Sequence, residues 1–111
     1  HRQPFIMYSP NEGKYFYDCI VSLFSQANVL PRYVQFLSQT HTILALVKAG
    51  LGMAIVPASA QSLRMEGVTF RPLPQAGAVA DVYMAWRQDC DNPALAAFRN
   101  LVTAGLEKQQ T

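Results

Sequence analysis

The sequence predicts an α/β domain with a mostly parallel sheet flanked by helices, and three features between Ile43 and Leu73 predict it. Ile43, Leu44, Leu46 and Val47 fall at helical spacing with Lys48 as the one charge, and Gly50 stands where a helix end needs a residue free to take positive φ. Met53 to Val56 is an unbroken apolar run, too short for a helix and suited to a strand covered on both faces. Pro57 fits the first turn of a short second helix, after which Gly67 breaks the pattern and Val68, Phe70 and Leu73 supply another strand. Helix, strand, helix and strand in this order form a βα-type crossover unit.

Length and composition bound the rest. A chain of 111 residues holds one small domain. Half of its residues are hydrophobic and only 14% are charged, a lean polar complement that implies a surface turned toward another subdomain or subunit. A net charge of +2 with no basic cluster gives no reason to place nucleic acid on this segment. No apolar run approaches the length of a membrane span, so no membrane partner is expected. Cys19 and Cys90 lie far apart without a CxxC or a neighbouring His, so neither a metal site nor a disulfide framework is expected. Two such thiols fit a reducing cytoplasm.

Along the chain, Pro4 to Tyr8 reads as the first strand and Ser9 to Gly13 as a turn-rich loop. Lys14 to Asn28 reads as an amphipathic helix whose stripe is Phe16, Ile20, Leu23, Phe24 and Ala27, widened on one flank by Tyr17 and Val21. That extra width is either a broad core face or a contact with another subunit. Arg32 to Leu37 reads as a strand with alternating faces, Gln35 opposite Val34 and Phe36. Pro74 to Ala80 reads as a connector and Asp81 to Arg87 as the final strand. Pro93 opens a terminal helix with Asn92 as N-cap and a stripe of Leu95, Phe98, Leu101, Val102 and Leu106.

The candidate binding residues lie in Ser38 to Thr42, the most polar cluster before a strongly apolar helix. Thr40 is the expected N-cap, its hydroxyl taking a backbone N–H from the first turn. Thr40 and Thr42 could serve only to start the helix. The helix start also presents free N–H groups and a partial positive charge, which suit a carboxylate. In a parallel sheet this turn lies on the ligand-facing edge, and Ser9, ending the first strand, reaches the same edge. Ser9, Gln39, Thr40, His41 and Thr42 are therefore the expected contacts to a small anionic molecule. His41 has no partner Ser, Cys or second His at a useful spacing, so its expected role is one hydrogen bond to an acidic ligand.

The run LVKAGLGMAIVP at Leu46 to Pro57, with PFIMYSP upstream and VYMAWR downstream, resembles the effector-binding domain of LysR-type transcriptional regulators. The resemblance extends over nearly the whole chain and is most specific in the LVxAGxGxAxVP pattern. It implies one lobe of a two-lobed, periplasmic-binding-protein-like (type II) domain, with a small-molecule effector between the lobes. Residues 1–90 would be the second α/β subdomain, and residues 91–111 a helix packing on a first subdomain outside this chain. Uncovered by that partner, the stripe of the last helix would be exposed. DNA would be contacted through a helix-turn-helix domain elsewhere, in a homodimer or homotetramer. The resemblance favours the subunit-contact account of the first helix, with Tyr17, Val21 and Phe24 at the interface.

Two other classes compete with this reading. A lobe of a solute-binding protein used in transport would share the fold and differ in what the gene encodes upstream. An enzyme has no residues to rest on: GxSxG, HExxH, GxxxxGK and close carboxylate pairs are missing. Gly50-Leu51-Gly52 lacks the third glycine of a dinucleotide loop and follows a helix where that loop follows a strand, so no cofactor is expected.

Overall fold

The computed structural model describes residues 3–63, 65–73, 82–88 and 93–109. The elements run β1 (Pro4–Tyr8), α1 (Lys14–Ala27), β2 (Arg32–Leu37), α2 (Thr40–Lys48), β3 (Met53–Pro57), a 3-10 helix (Ala58–Leu63), β4 (Val68–Pro72), β5 (Val82–Arg87) and α3 (Pro93–Gln109). The expected linker at 74–80, the Asn92 cap and Cys90 lie outside the described residues.

One sheet takes the five strands in the order β2-β1-β3-β5-β4. β1 pairs in parallel with both β2 and β3, whereas β5 pairs antiparallel with both β3 and β4. Four strands therefore point one way and β5 alone runs against them. The sheet is mixed in its pairing while mostly parallel in its directions. The chain leaves β1 for β2 on one side and returns across β1 to β3 on the other. Such a reversal opens a crevice outside the carboxyl ends of the strands.

The central strands are buried on both faces, which explains their continuous apolar runs: Phe5 to Tyr8 and Met53 to Val56 are all at or below 2% exposure. Phe5 turns toward α1, its ring edge-on to Phe24 at 5.0 Å. α2 buries Ile43, Leu44 and Val47 completely, and each such side chain contributes about 1.5–3 kcal/mol. α1 ends at Asn28 in the left-handed region (φ 57°), and Val29 N–H donates to the Phe24 carbonyl at 3.0 Å.

Three local expectations are corrected. β2 does not alternate cleanly, because its register slips between the Phe5–Tyr33 and Ile6–Gln35 pairs. One extra residue there brings Tyr33 and Phe36 to a ring separation of 5.9 Å, as a bulge does on an edge strand. Pro57 does not open a helix. It ends β3 opposite Val82, and the segment after it is a 3-10 helix. The stripe of α3 is covered in part: Phe98 and Val102 are buried within this chain, Phe98 facing Phe24 at 6.2 Å, Leu101 is 56% exposed, and the side chains of Leu95 and Leu106 lie outside the described ones. α3 can approach because Gly105 meets Ala27 where a Cβ would sit 2.6 Å from the Ala27 Cα.

Candidate functional site

The carboxyl ends of β1, β2 and β3 face one edge, and each hands the chain to a loop or helix there. Between these exits lies an open depression of about 490 Å3. Its floor comes from Tyr8 at the end of β1 and from Ser38, Gln39, Thr40 and His41 at the start of α2. Glu12, Tyr15 and Phe16 enclose it from the β1–α1 loop and the first turn of α1, and Leu63 from the end of the 3-10 helix.

Gln39, not Thr40, is the N-cap of α2, extended at φ −110° and ψ 125°, and no side chain caps the helix. Thr40 is the first helical residue, and its hydroxyl pairs with the Tyr8 phenol. The competing partner is physical: Tyr8 is 2% exposed, and a buried phenol needs a hydrogen bond more than a helix start open to the depression does. Burial raises the Tyr8 pKa above its ordinary value of 10.0, and the Thr40 bond offsets only part of that. Tyr8 is therefore a neutral phenol at physiological pH. The first-turn N–H groups of α2 have no acceptor inside the helix, as for any helix start, and no acidic residue stands in that turn.

The expected contacts do not all converge. Gln39, Thr40 and His41 line the depression. Ser9 does not: its hydroxyl oxygen faces the N–H groups of Asn11 and Glu12 at 3.3 and 3.4 Å, and its carbonyl accepts from Gly13 at 2.9 Å. It shapes the loop that carries Glu12. Thr42 is half-buried on the first turn and is not among the lining residues. The sequence reading missed Tyr8, Glu12, Gly13, Tyr15, Phe16 and Leu63. Tyr8 left a signal, since it alone in the apolar run of β1 carries a polar atom. Leu63 left none, because nothing in the expected short helix after β3 says that its last residue stands at this edge.

On α1, Tyr17 is half-buried and Val21 is 38% exposed, so both offer surface. Phe24 does not, at 3% exposure between Phe5 and Phe98, and it belongs to the core. Cys19 is a half-buried free thiol whose pKa is raised by burial. Among the described residues no group of three or more His, Cys, Asp or Glu side chains gathers around a common point, and no helix is long and apolar enough to cross a membrane.

Residues 1–107 match the model of the LysR substrate binding domain. The HTH-type transcriptional regulator YnfL of Escherichia coli (strain K12) is 30% identical over 99 residues, covering 88% of this chain and 33% of the regulator. The HTH-type transcriptional regulator IlvR of Caulobacter vibrioides is 32% identical over 100 residues, covering 90% and 33%. The chain thus spans a third of the length of these relatives. Among solved structures, the BenM effector binding domain with its effector benzoate superposes with a TM-score of 0.60 at 21% identity, over 96% of this chain and 46% of that one, a likeness of fold. Full-length CbnR complexed with its target DNA gives a TM-score of 0.56 at 26% identity, over 92% and 36%. A family match over residues 1–107, nearly all its length, shows that the chain belongs to the LysR substrate binding domain family.

Proposed function

We propose that this chain is the effector-sensing lobe of a LysR-type transcriptional regulator and holds a small anion at the start of α2. The observation that carries the reading is the Thr40–Tyr8 pair beside an uncapped helix start, on the floor of the depression at the carboxyl ends of the strands. Such an edge offers hydroxyls and N–H groups and favours an anion without burying a full positive charge. The helix end alone contributes about 0.3–1 kcal/mol to an exposed carboxylate and more when partly buried. The names of the matched regulators and the benzoate-bound BenM domain support a sensing role over a transport lobe.

A first subdomain outside this chain would close the depression from above and cover Leu101 of α3. The effector's unequal affinity for the open and closed arrangements would set how far it shifts them. A helix-turn-helix domain, also outside this chain, would carry the shift to DNA in a cytoplasmic dimer or tetramer. Tyr17 and Val21 would lie in the subunit contact, without Phe24.

Calorimetric titration of the full-length protein with a panel of small carboxylates tests the site. His41→Ala and Thr42→Ala are both expected to weaken binding, Thr42→Ala by less because its side chain stands back from the depression. Unchanged affinity in both variants would remove the site from this edge.

A further inference from the structure

One wall of the depression is aromatic. Tyr8 and Phe16 lie 5.1 Å apart between centroids with planes at 34°, and Phe16 and Tyr15 lie 5.1 Å apart at 80°. The series runs from the buried Tyr8 to Tyr15, which is 56% exposed, and Leu63 at 50% exposure stands on the same rim. Tyr15 and Leu63 are large apolar side chains left open beside a concavity, and both gain if a flat apolar body covers them.

The polar groups are unequally placed around this wall. Tyr8 and Thr40 have two hydroxyl hydrogens between them, and their mutual bond uses one. Whichever oxygen donates, one hydrogen remains for an acceptor brought by a ligand. Glu12 is the one acidic residue of the lining, and Lys14, two residues on, is held by Asp18 at 2.9 Å. The floor therefore suits an acceptor and the rim suits a donor.

We infer that the ligand of this edge is an aryl acid carrying a hydrogen-bond donor on its ring, with the ring against Tyr15 and Phe16, the acid at Thr40 and His41, and the donor toward Glu12. This assignment rests on the effector-binding reading above. A saturated ring of equal bulk fills the same space without the edge and face electrostatics of an aromatic pair. A second carboxylate in place of the donor would face Glu12 at a cost.

The test is calorimetric titration of the full-length protein with three probes: 3-phenylpropanoate, 3-(4-hydroxyphenyl)propanoate and 3-cyclohexylpropanoate. The phenyl acid should bind about two- to tenfold more tightly than the cyclohexyl acid, and the hydroxyphenyl acid more tightly again. Tyr15→Ser should remove the preference for the aryl ring, and Glu12→Ala, which leaves no acceptor at that position, the preference for the hydroxyl. Equal affinities for phenyl and cyclohexyl acids, an aryl preference that survives Tyr15→Ser, or no binding of any probe would overturn the inference. A uniform loss for all three acids in Tyr15→Ser would also overturn it, leaving Tyr15 as a contact to the other lobe. Thr40→Val and His41→Ala separate the two readings. If they weaken all three acids while no ring preference exists, the site stands and the ligand class falls. If they weaken none, the site falls too.

Discussion

At its Lys48 end α2 is closed by its own chain, whereas at its Thr40 end it is left open. Gly50 N–H donates to the Val47 carbonyl at 3.0 Å and Leu51 N–H to the Leu46 carbonyl at 3.1 Å, so two of the last carbonyls are satisfied locally. Gly50 takes φ 88° to make this turn, and Lys48 sets a positive charge at the negative end of the helix dipole. Arg87 lies over Gly50 so closely that a Cβ there would come within 2.6 Å of Nη1. At the other end no side chain caps the helix, no acid stands in the first turn, and Thr40 is turned to Tyr8. A helix that only needed to start would gain about 1 kcal/mol from a capping side chain. α1 also starts without a capping side chain, so the missing cap by itself singles out neither helix. What sets the Thr40 end apart is that it opens onto the depression beside the Tyr8 hydroxyl, and on the proposed reading it is the end that meets the ligand.

The largest expected effect comes from breaking both ends together. Leu44 is fully buried midway along α2, and Leu44→Ala should cost about 2–5 kcal/mol. Urea unfolding should show a lower midpoint, and ligand affinity should fall with the folded fraction. A loss below 1 kcal/mol would mean that α2 is not the packed axis of this domain.

Gly50→Ala should break the closed end alone. An alanine held at φ 88° costs about 1–2 kcal/mol, and Arg87 must move aside. The change should appear in the unfolding midpoint with ligand affinity unchanged. Weaker binding at unchanged stability would reverse the assignment of the two ends.

The difference between the ends also sets what could be read from sequence. The closed end is written locally, since a glycine after an apolar helical run has one common meaning, and the strand after it is declared by four consecutive apolar residues. The open end depends on contacts between distant residues. Tyr8 and Thr40 stand 32 positions apart, and nothing in the polar run before α2 says that the hydroxyl will choose a phenol over a backbone N–H. Phe24 stands within the α1 stripe and is expected at a subunit contact only from the resemblance; that its ring meets α3, and not another subunit, depends again on a contact between residues far apart in the chain. The bulge in β2 was invisible for the same reason: register belongs to the pair of strands, and β2 alone still alternates on paper.

The smallest expected effect tests the open end through the Tyr8–Thr40 bond. At neutral pH the bond should contribute about 0.5–1.5 kcal/mol, measured as the coupling between Tyr8→Phe and Thr40→Val in a double-mutant cycle by urea unfolding. The phenol adds a pH dependence of fixed sign. Its folded pKa is raised above the ordinary 10.0 by burial, so its contribution is fully present below pH 10. Above that value the unfolded chain gives up its proton first, and stability falls until the folded phenol also ionises. Tyr33, raised by burial and by the nearby Tyr17, and Cys19, raised by burial from 9.0, act in the same direction. The wild-type protein should therefore lose stability on the alkaline side, and Tyr8→Phe should flatten part of that loss above pH 10 while leaving the Cys19 part in place. Unfolding midpoints at pH 7, 9 and 11 for the four proteins of the cycle decide it. If Tyr8→Phe keeps the full alkaline loss and the two substitutions are additive at pH 7, the hydroxyl pair contributes nothing. The open end of α2 would then be an unfinished cap with no built donor beside it.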